Sequence, residues 1–165
     1  MLRGKEVLVL LKLAAAGRSQ SVRALSEALG IPHSTIQDSL KRLRSAGLLA
    51  KGDDTVLNRL KVLDFLTHGL RWISPGQVES FAMGLPTARS AEPLRSKLLH
   101  GREMYVMPFE KGPEFGRAVK PIDPAAPYAA SKDTALHELL ALSDAIRVGD
   151  SRSRSIATKE LQTRL

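Results

Sequence analysis

The first 49 residues contain three short segments of helical periodicity, separated by glycine and proline. In residues 5–16, apolar side chains recur at the spacing of one helix face. Ser21 can cap a second helix, which ends at Gly30, a residue that tolerates positive φ. Pro32 disfavours helical backbone at the residue before it, so a third helix begins at about His33. This punctuation predicts three short helices joined by tight turns.

The third helix, about residues 33–46, has two faces of different chemistry. Ile36, Leu40 and Leu43 lie within about 60° of one another at 100° per residue, so we expect them to face the core. A helix that only closed a core would need that apolar face alone. Here, however, polar and basic side chains occupy the exposed turns: His33, Ser34, Thr35, Gln37, Asp38, Lys41, Arg42 and Arg44.

That exposed surface suits the major groove of DNA. Gln37 can pair with adenine through two hydrogen bonds, and Asp38 can accept one from cytosine, although phosphates repel a carboxylate. Hydroxyls in the first turn can meet base edges or phosphate, and cations further along can neutralise phosphates at the rims of the groove. The hydroxyls are those of Ser34 and Thr35, and the cations are Lys41, Arg42 and Arg44.

The segment VRALSEALGIPHSTIQDSLKRLRSAGLL resembles the helix-turn-helix of bacterial winged-helix transcription regulators. This broad class includes the MarR, IclR and ArsR families. The matching elements are Leu29-Gly30-Ile31 in the turn, Ser34-Thr35-Ile36 at the start of the third helix, and Gly47-Leu48-Leu49 before the wing. The resemblance covers residues 5–57 and implies a DNA-binding winged helix.

The expected wing has an acidic tip. Gly52-Asp53-Asp54 is a turn signal, and residues 55–57 form the returning strand. Wings that enter the minor groove usually lead with Arg or Lys. This wing is therefore expected to be short and passive, with Lys51 or Arg59 touching the DNA backbone at most.

A further helix, about residues 59–69, is expected after a cap at Asn58. Its broad apolar strip fits either a dimer contact or packing within the same chain. Trp72 follows and is interpreted as a core side chain rather than a base-stacking one. Ser74-Pro75-Gly76 is the best candidate boundary. We therefore divide the chain into a winged helix-turn-helix domain, residues 1–75, and a C-terminal extension, residues 76–165.

The extension has a mixed pattern. Residues 84–93 are expected to be irregular, and residues 121–127 a linker. Residues 103–109 and 116–122 can pair as a small hairpin. Two helices close the chain, residues 133–148 and a last one beginning at Asp150 or Ser151. The predicted fold class is mainly α (α+β), a winged helix-turn-helix followed by a mixed extension.

Charge and composition narrow the function. The net charge is +8, with 12 Lys or Arg against 6 Asp or Glu in residues 1–75 and 13 against 11 in residues 76–165. This surplus suits double-stranded DNA as the partner. There are no cysteines, which excludes disulfides and thiolate metal sites. The apolar run near the N-terminus stops at Lys12, so we expect a cytoplasmic chain without a membrane partner.

No catalytic constellation is found in the sequence. The stretch His137 to Ala141 holds half of a zinc-protease motif, but alanine stands where the second histidine would be. Glycine-rich phosphate loops are absent. We therefore expect neither an enzyme nor a metal or cofactor. The Ser-Arg alternation at residues 151–155 is interpreted as a solvated helix start rather than an RNA-binding segment.

The sequence favours a homodimeric repressor that binds specific double-stranded DNA, with residues 33–46 as the recognition helix. The extension would supply dimerisation, a protein contact or an effector site. The alternative is a winged-helix adaptor, such as an antitoxin, whose main role is to bind another protein.

Overall fold

The computed structural model describes residues 1–99 and 101–165. The chain begins with three helices, α1 (Gly4–Ala16), α2 (Val22–Leu29) and α3 (His33–Ser45). Their ends follow the sequence signals. Ser21 Oγ accepts a hydrogen bond from the backbone N–H of Ala24 at 3.0 Å, and Gly30 ends α2 with φ of 65°. The helix-turn-helix predicted from punctuation and periodicity is thus present.

The wing is minimal. One antiparallel bridge, Leu49 to Leu57, joins its two sides, and Gly52 turns the chain with φ of 92°. At the tip, Asp53 and Thr55 hydrogen bond to each other within the turn, so these residues fold back locally instead of extending the two strands.

The helix after the wing is longer than expected and contains a π-helical turn. It comprises α4 (Arg59–Asp64), a π segment (Phe65–Gly69) and α5 (Leu70–Ile73). Its apolar strip packs within the chain, since Val62, Leu66 and Leu70 are all 0% exposed. The core interpretation of Trp72 is wrong, because this side chain is 71% exposed.

Three strands form a small closed barrel: β1 (Val78–Pro86), β2 (Tyr105–Pro108) and β3 (Glu114–Val119). The long β1 pairs antiparallel with both of the others, whereas β2 and β3 pair in parallel. The expected hairpin is therefore corrected, since the two predicted strands meet in parallel beside β1. Sequence reasoning missed β1 because glycine is typical of loops, and the stretch beginning at Gly84 was therefore expected to be irregular. A Cβ there would lie 2.2 Å from Met107 O, so glycine permits close strand approach.

The remaining elements are helical. A 3₁₀ turn (Ala88–Ser90) and α6 (Leu94–Lys97) follow β1. After β3 come α7 (Ala126–Ser131), α8 (Thr134–Val148) and α9 (Ser151–Arg164), so α7 begins inside the expected linker. The two C-terminal helices lie where they were predicted. The mainly helical α+β fold class is confirmed.

Helix α1 lies at the centre of the core. It packs against α3 on one side and against α8 on another. Consequently every residue from Val7 to Leu11 is at most 1% exposed. One apolar cluster contains side chains from the helix-turn-helix and from α8 and α9. Residues of the extension thus complete the burial of the first helix.

Candidate nucleic-acid interface

The first turns of α3 present polar groups to solvent. Its apolar face is buried, with Ile36 and Leu43 at 0% and Leu40 at 5% exposure. His33, Ser34 and Gln37 are exposed, and Thr35 is half-buried. Among the described residues, none of these four side chains makes a hydrogen bond within the chain. Their donors and acceptors are therefore available to a ligand lying against α3.

The cations of α3 all lie beside carboxylates. Lys41 Nζ is 3.8 Å from Asp38 Oδ1, and these side chains are 71% and 60% exposed. Exposed pairs of this kind contribute about 0–1 kcal/mol. The contact between Lys41 and Asp38 is therefore weak, and Lys41 can break it at a small cost in free energy to reach a phosphate.

Arg42 has a structural partner that the sequence analysis did not identify. Its guanidinium donates to Glu6 Oε1 at 2.8 Å, and Glu6 is 1% exposed. Ser39 Oγ donates to the same oxygen at 3.0 Å, and the backbone N–H of Arg3 donates to Oε2 at 2.8 Å. Burial acts to raise the pKa of Glu6, but these hydrogen bonds outweigh it and hold the pKa below its ordinary value.

Arg42 is nevertheless 47% exposed at its side chain. It joins α1 to α3 through a carboxylate whose burial without a cation would be strongly destabilising. The same guanidinium can face solvent with its remaining N–H groups, because an arginine side chain carries about five donors in all. Arg42 can thus hold Glu6 and meet an anion together.

Arg44 ties α3 to the wing. Its guanidinium forms an ion pair with Asp54. Asp53 accepts hydrogen bonds from the backbone and hydroxyl of Thr55, both at 2.9 Å, which lower its pKa. Thr55 in turn contacts Ser19 Oγ at 2.6 Å, in the loop between α1 and α2. The acidic tip is therefore explained by internal contacts that fix the wing against the helices.

Lys51 and Arg59, the other two basic residues expected near DNA, differ in their contacts within the chain. Lys51 is exposed at the start of the wing turn, and within the described chain it has no ion-pair partner. Arg59 donates to the backbone carbonyl of Leu165 at the end of α9. Lys51 is accordingly the less constrained of the two.

A second arginine–carboxylate pair lies in the extension. Arg147 donates to Asp144 Oδ1 at 2.7 Å, and the two side chains are 2% and 3% exposed. Thr87 Oγ1 donates to Asp144 Oδ2 at 2.6 Å. Arg147 also donates to the backbone carbonyls of Ser74 at 2.9 Å and Lys120 at 3.2 Å. Burial raises the pKa of Asp144 despite these partners. The pair joins α8 to the end of α5 and to the barrel.

Other chemistry is sparse in the part of the chain that the structure describes. No three His, Asp or Glu side chains there lie close enough to hold a metal ion. None of the described helices has the length and apolar character needed to cross a membrane.

Comparison with known proteins finds one family to which the N-terminal segment is similar. Residues 2–64 match the family model described as sugar-specific transcriptional regulator TrmB. The resemblance to winged-helix regulators is thereby confirmed for this segment. The TrmB match covers α1 to α4, and residues 65–165 lie outside it. Neither the curated proteins nor the solved structures give a match.

The TrmB-like segment contains all of the predicted site residues, those on α3 together with Lys51 and Arg59. Sequence reasoning missed the acidic side chains that hold the arginines in place. Glu6 carried a signal, because it lies in the first turn of α1, where a carboxylate can accept from free backbone N–H groups, and beside an apolar run. The pairing of Arg44 with Asp54 had no local signal, since it depends on how the wing folds back.

Proposed function

We propose that this chain is a homodimeric repressor that binds a specific double-stranded DNA sequence, with α3 in the major groove. The observation that carries the proposal is the exposed, unengaged polar edge at the start of α3, formed by His33, Ser34 and Gln37. Recognition helices read base edges with their N-terminal residues. The TrmB match over residues 2–64 supports the same function.

The predicted residues take separate roles in this proposal. Gln37 reads a base, and Ser34 and Thr35 contact base edges or phosphate, with His33 beside them. Asp38 accepts a hydrogen bond from a base. The cations contact phosphates on either side of the groove: Lys41, Arg42, Arg44, Lys51 and Arg59.

Two copies are needed for adequate specificity. A single short helix contacts few base pairs, and each mismatch costs about 1–3 kcal/mol. Two recognition helices in successive major grooves double that discrimination. As a repressor, the dimer would exclude the transcription machinery from its site, so deleting the gene should raise expression from the bound promoter.

The test is fluorescence anisotropy with the upstream DNA of the gene and with a scrambled duplex, each at two salt concentrations. We expect binding that prefers the upstream DNA and persists at the higher salt. Gln37→Ala should lower that preference by about 10-fold, since a bidentate contact contributes about 1–3 kcal/mol of discrimination. Ser45→Ala, at the other end of α3, is the matched control. An unchanged preference in Gln37→Ala would refute the assignment of α3.

One observation favours the alternative adaptor function. The outer surface of the barrel exposes Phe81 at 58%, Met83 at 44% and Phe115 at 62%. The two rings stack with centroids 5.7 Å apart. Exposed apolar patches mark protein interaction sites. A protein partner on this patch is compatible with DNA binding through α3. Equal, salt-sensitive binding to both duplexes would favour the adaptor as the main function.

A further inference from the structure

The helix after the wing carries an exposed ridge, which we define as Leu60, Asp64, His68 and Trp72. Leu60 is 82% exposed and Trp72 is 71% exposed. The side chains of Asp64 and His68 are 79% and 78% exposed. Tryptophan side chains are highly buried on average, so an indole this exposed points to a surface that another molecule covers.

The π segment keeps the ridge straight. In an α-helix a step of four residues overshoots one full turn by about 40°, so four such positions would spiral around the axis. A π turn holds more residues, as the hydrogen bond from Leu70 N–H to Phe65 O shows, and it opposes this drift. The buried side of the helix confirms the effect, because Val62, Leu66 and Leu70 also step by four and are all 0% exposed.

The order of side chains along the ridge is self-complementary. In an antiparallel pair of these helices, with a two-fold axis beside Leu66, Leu60 of one copy faces Trp72 of the other. Asp64 then faces His68, and both contacts occur twice. A two-fold interface requires this kind of reciprocal matching. Parallel alignment would instead place like residues opposite each other.

We propose that the ridge is the contact through which a second copy of this chain binds, as an antiparallel helix pair. This inference rests on the homodimer of the proposed function and assigns its interface. Hydrogen bonds between Asp64 of one copy and His68 of the other define the register, and the leucine–tryptophan contacts at the two ends supply the apolar area.

The polar groups at the centre of the ridge have bonding capacity left for a partner. Within one chain, His68 Nδ1 lies 2.9 Å from Asp64 Oδ1 and 3.1 Å from Thr67 Oγ1. In the described chain, neither His68 Nε2 nor Asp64 Oδ2 has a hydrogen-bond partner. Each can therefore meet its counterpart on the second copy without breaking the contact inside its own helix.

The tryptophan end of the ridge borders a mostly polar groove, in which the indole offers an apolar face to a leucine. Trp72 and His68 line a groove of about 470 Å³ between this helix and the start of α9. Arg71 stacks over the Trp72 ring at 4.3 Å, which holds the indole in place. Hydroxyl and guanidinium groups of Ser151, Arg154 and Thr158 form the opposite wall. Leu60 of the second copy is the apolar side chain that would cover Trp72.

The contact is small, and this sets the expected affinity. One helix pair buries less than the roughly 1,600 Å² of a standard stable interface. We therefore expect a micromolar dimer in solution, which becomes tighter on DNA because two half-sites hold both copies together.

The decisive experiment measures sedimentation velocity of Asp64→Lys, His68→Glu and an equimolar mixture of the two. In a dimer of Asp64→Lys, the introduced lysine lies opposite the imidazole of His68. In a dimer of His68→Glu, two carboxylates lie opposite each other. Each variant alone should raise the dimer Kd about 10-fold or more. In the mixture, a heterodimer pairs the introduced lysine with the introduced glutamate, and the native His68 with the native Asp64. Its Kd should return to within about 3-fold of the wild-type value, a difference of under about 1 kcal/mol.

Rescue by mixing separates the dimer contact from the contact inside one helix, since mixing leaves each chain's own residues unchanged. Lys61→Glu, a charge reversal on the same helix but off the ridge, is the matched control, and circular dichroism verifies folding. If the wild type is a dimer and neither variant weakens dimerisation, the ridge assignment is wrong while the proposed homodimer stands. The same holds if mixing the two variants fails to restore the affinity. A monomeric wild type would refute both, and anisotropy on the upstream DNA would then test DNA binding separately.

Discussion

Two arginine–carboxylate pairs stabilise different parts of this molecule, and their carboxylates have pKa values shifted in opposite directions. In the helix-turn-helix, Arg42 is half-exposed and the pKa of Glu6 is lowered. In the extension, Arg147 is almost fully buried and the pKa of Asp144 is raised. Burial opposes the ionisation of both carboxylates. Glu6, however, accepts three hydrogen bonds, and its partner Arg42 remains in contact with solvent. A half-exposed pair can thus be shared with a ligand, whereas the interior pair serves only the fold.

Removing the interior arginine should have the largest effect. We expect Arg147→Ala to lower the free energy of unfolding by about 3–5 kcal/mol at pH 7, because Asp144 is left buried without a cation. Urea denaturation measures this loss. Arg23→Ala, which removes an exposed pair with Glu27, is the matched control and should change stability by less than about 1 kcal/mol. Equal losses in the two variants would contradict the difference in burial.

The pH dependence of the same variant has a definite sign. Without Arg147, the pKa of Asp144 should rise further, since the lost cation favoured the ionised form. A carboxyl whose folded pKa is raised stabilises the fold when protonated and loses that contribution as pH rises. The deficit of Arg147→Ala relative to the wild type should therefore shrink as pH falls from about 7 towards about 5.

Neutralising the carboxylate beside α3 should have a smaller effect. Glu6→Gln should cost about 2 kcal/mol at pH 7, because the amide weakens the hydrogen bonds to a charged acceptor while Arg42 can turn to water. The folded pKa of Glu6 is lowered, so its contribution is present above the unfolded value and is lost as pH falls through the folded one. Urea unfolding from about pH 6 to about pH 3 should accordingly be less pH-dependent in this variant than in the control Glu27→Gln.

Removing a single hydroxyl donor from each carboxylate tests the difference between the two arginine–carboxylate pairs more finely. Thr87→Val and Ser39→Ala each remove one donor from a buried carboxylate, at 2.6 Å from Asp144 and 3.0 Å from Glu6. We expect losses of about 1–2 kcal/mol for Thr87→Val and about 1 kcal/mol for Ser39→Ala, since Glu6 keeps its other donors. Thermal unfolding of both variants measures the order. A larger loss for Ser39→Ala would reverse our ranking of the two sites.

The smallest effect concerns DNA. Lys41→Ala should weaken binding to all sequences alike and reduce the magnitude of the salt slope by about 1. Arg42→Ala should change that slope less, because Arg42 is shared with Glu6. Anisotropy titrations from about 50 to 200 mM salt measure both slopes. A larger change for Arg42→Ala would mean that DNA displaces Glu6.

Sequence reasoning succeeded where the signals are local. The caps at Ser21, Asn58 and Asp150, and the inward stripe of α3, depend on neighbours within a few residues of the same helix. It failed where distant segments meet. The parallel contact of β2 with β3 depends on β1, whose Gly84 concealed a strand. For the candidate site, the exposed residues of α3 could be predicted, whereas the acidic partners of its arginines lie on α1 and the wing. The roles of these residues in DNA binding stay predictions.

The burial of α1 by both α3 and α8 has an evolutionary consequence. Transfer of the helix-turn-helix alone to another chain would uncover a second apolar face of its first helix, which α8 covers here. A chain that acquired only this segment would expose leucines and valines to water and would tend to aggregate. Successful transfer would require the recipient to supply an apolar helix of matching length. Substitutions on α8 should therefore be selected together with those on α1.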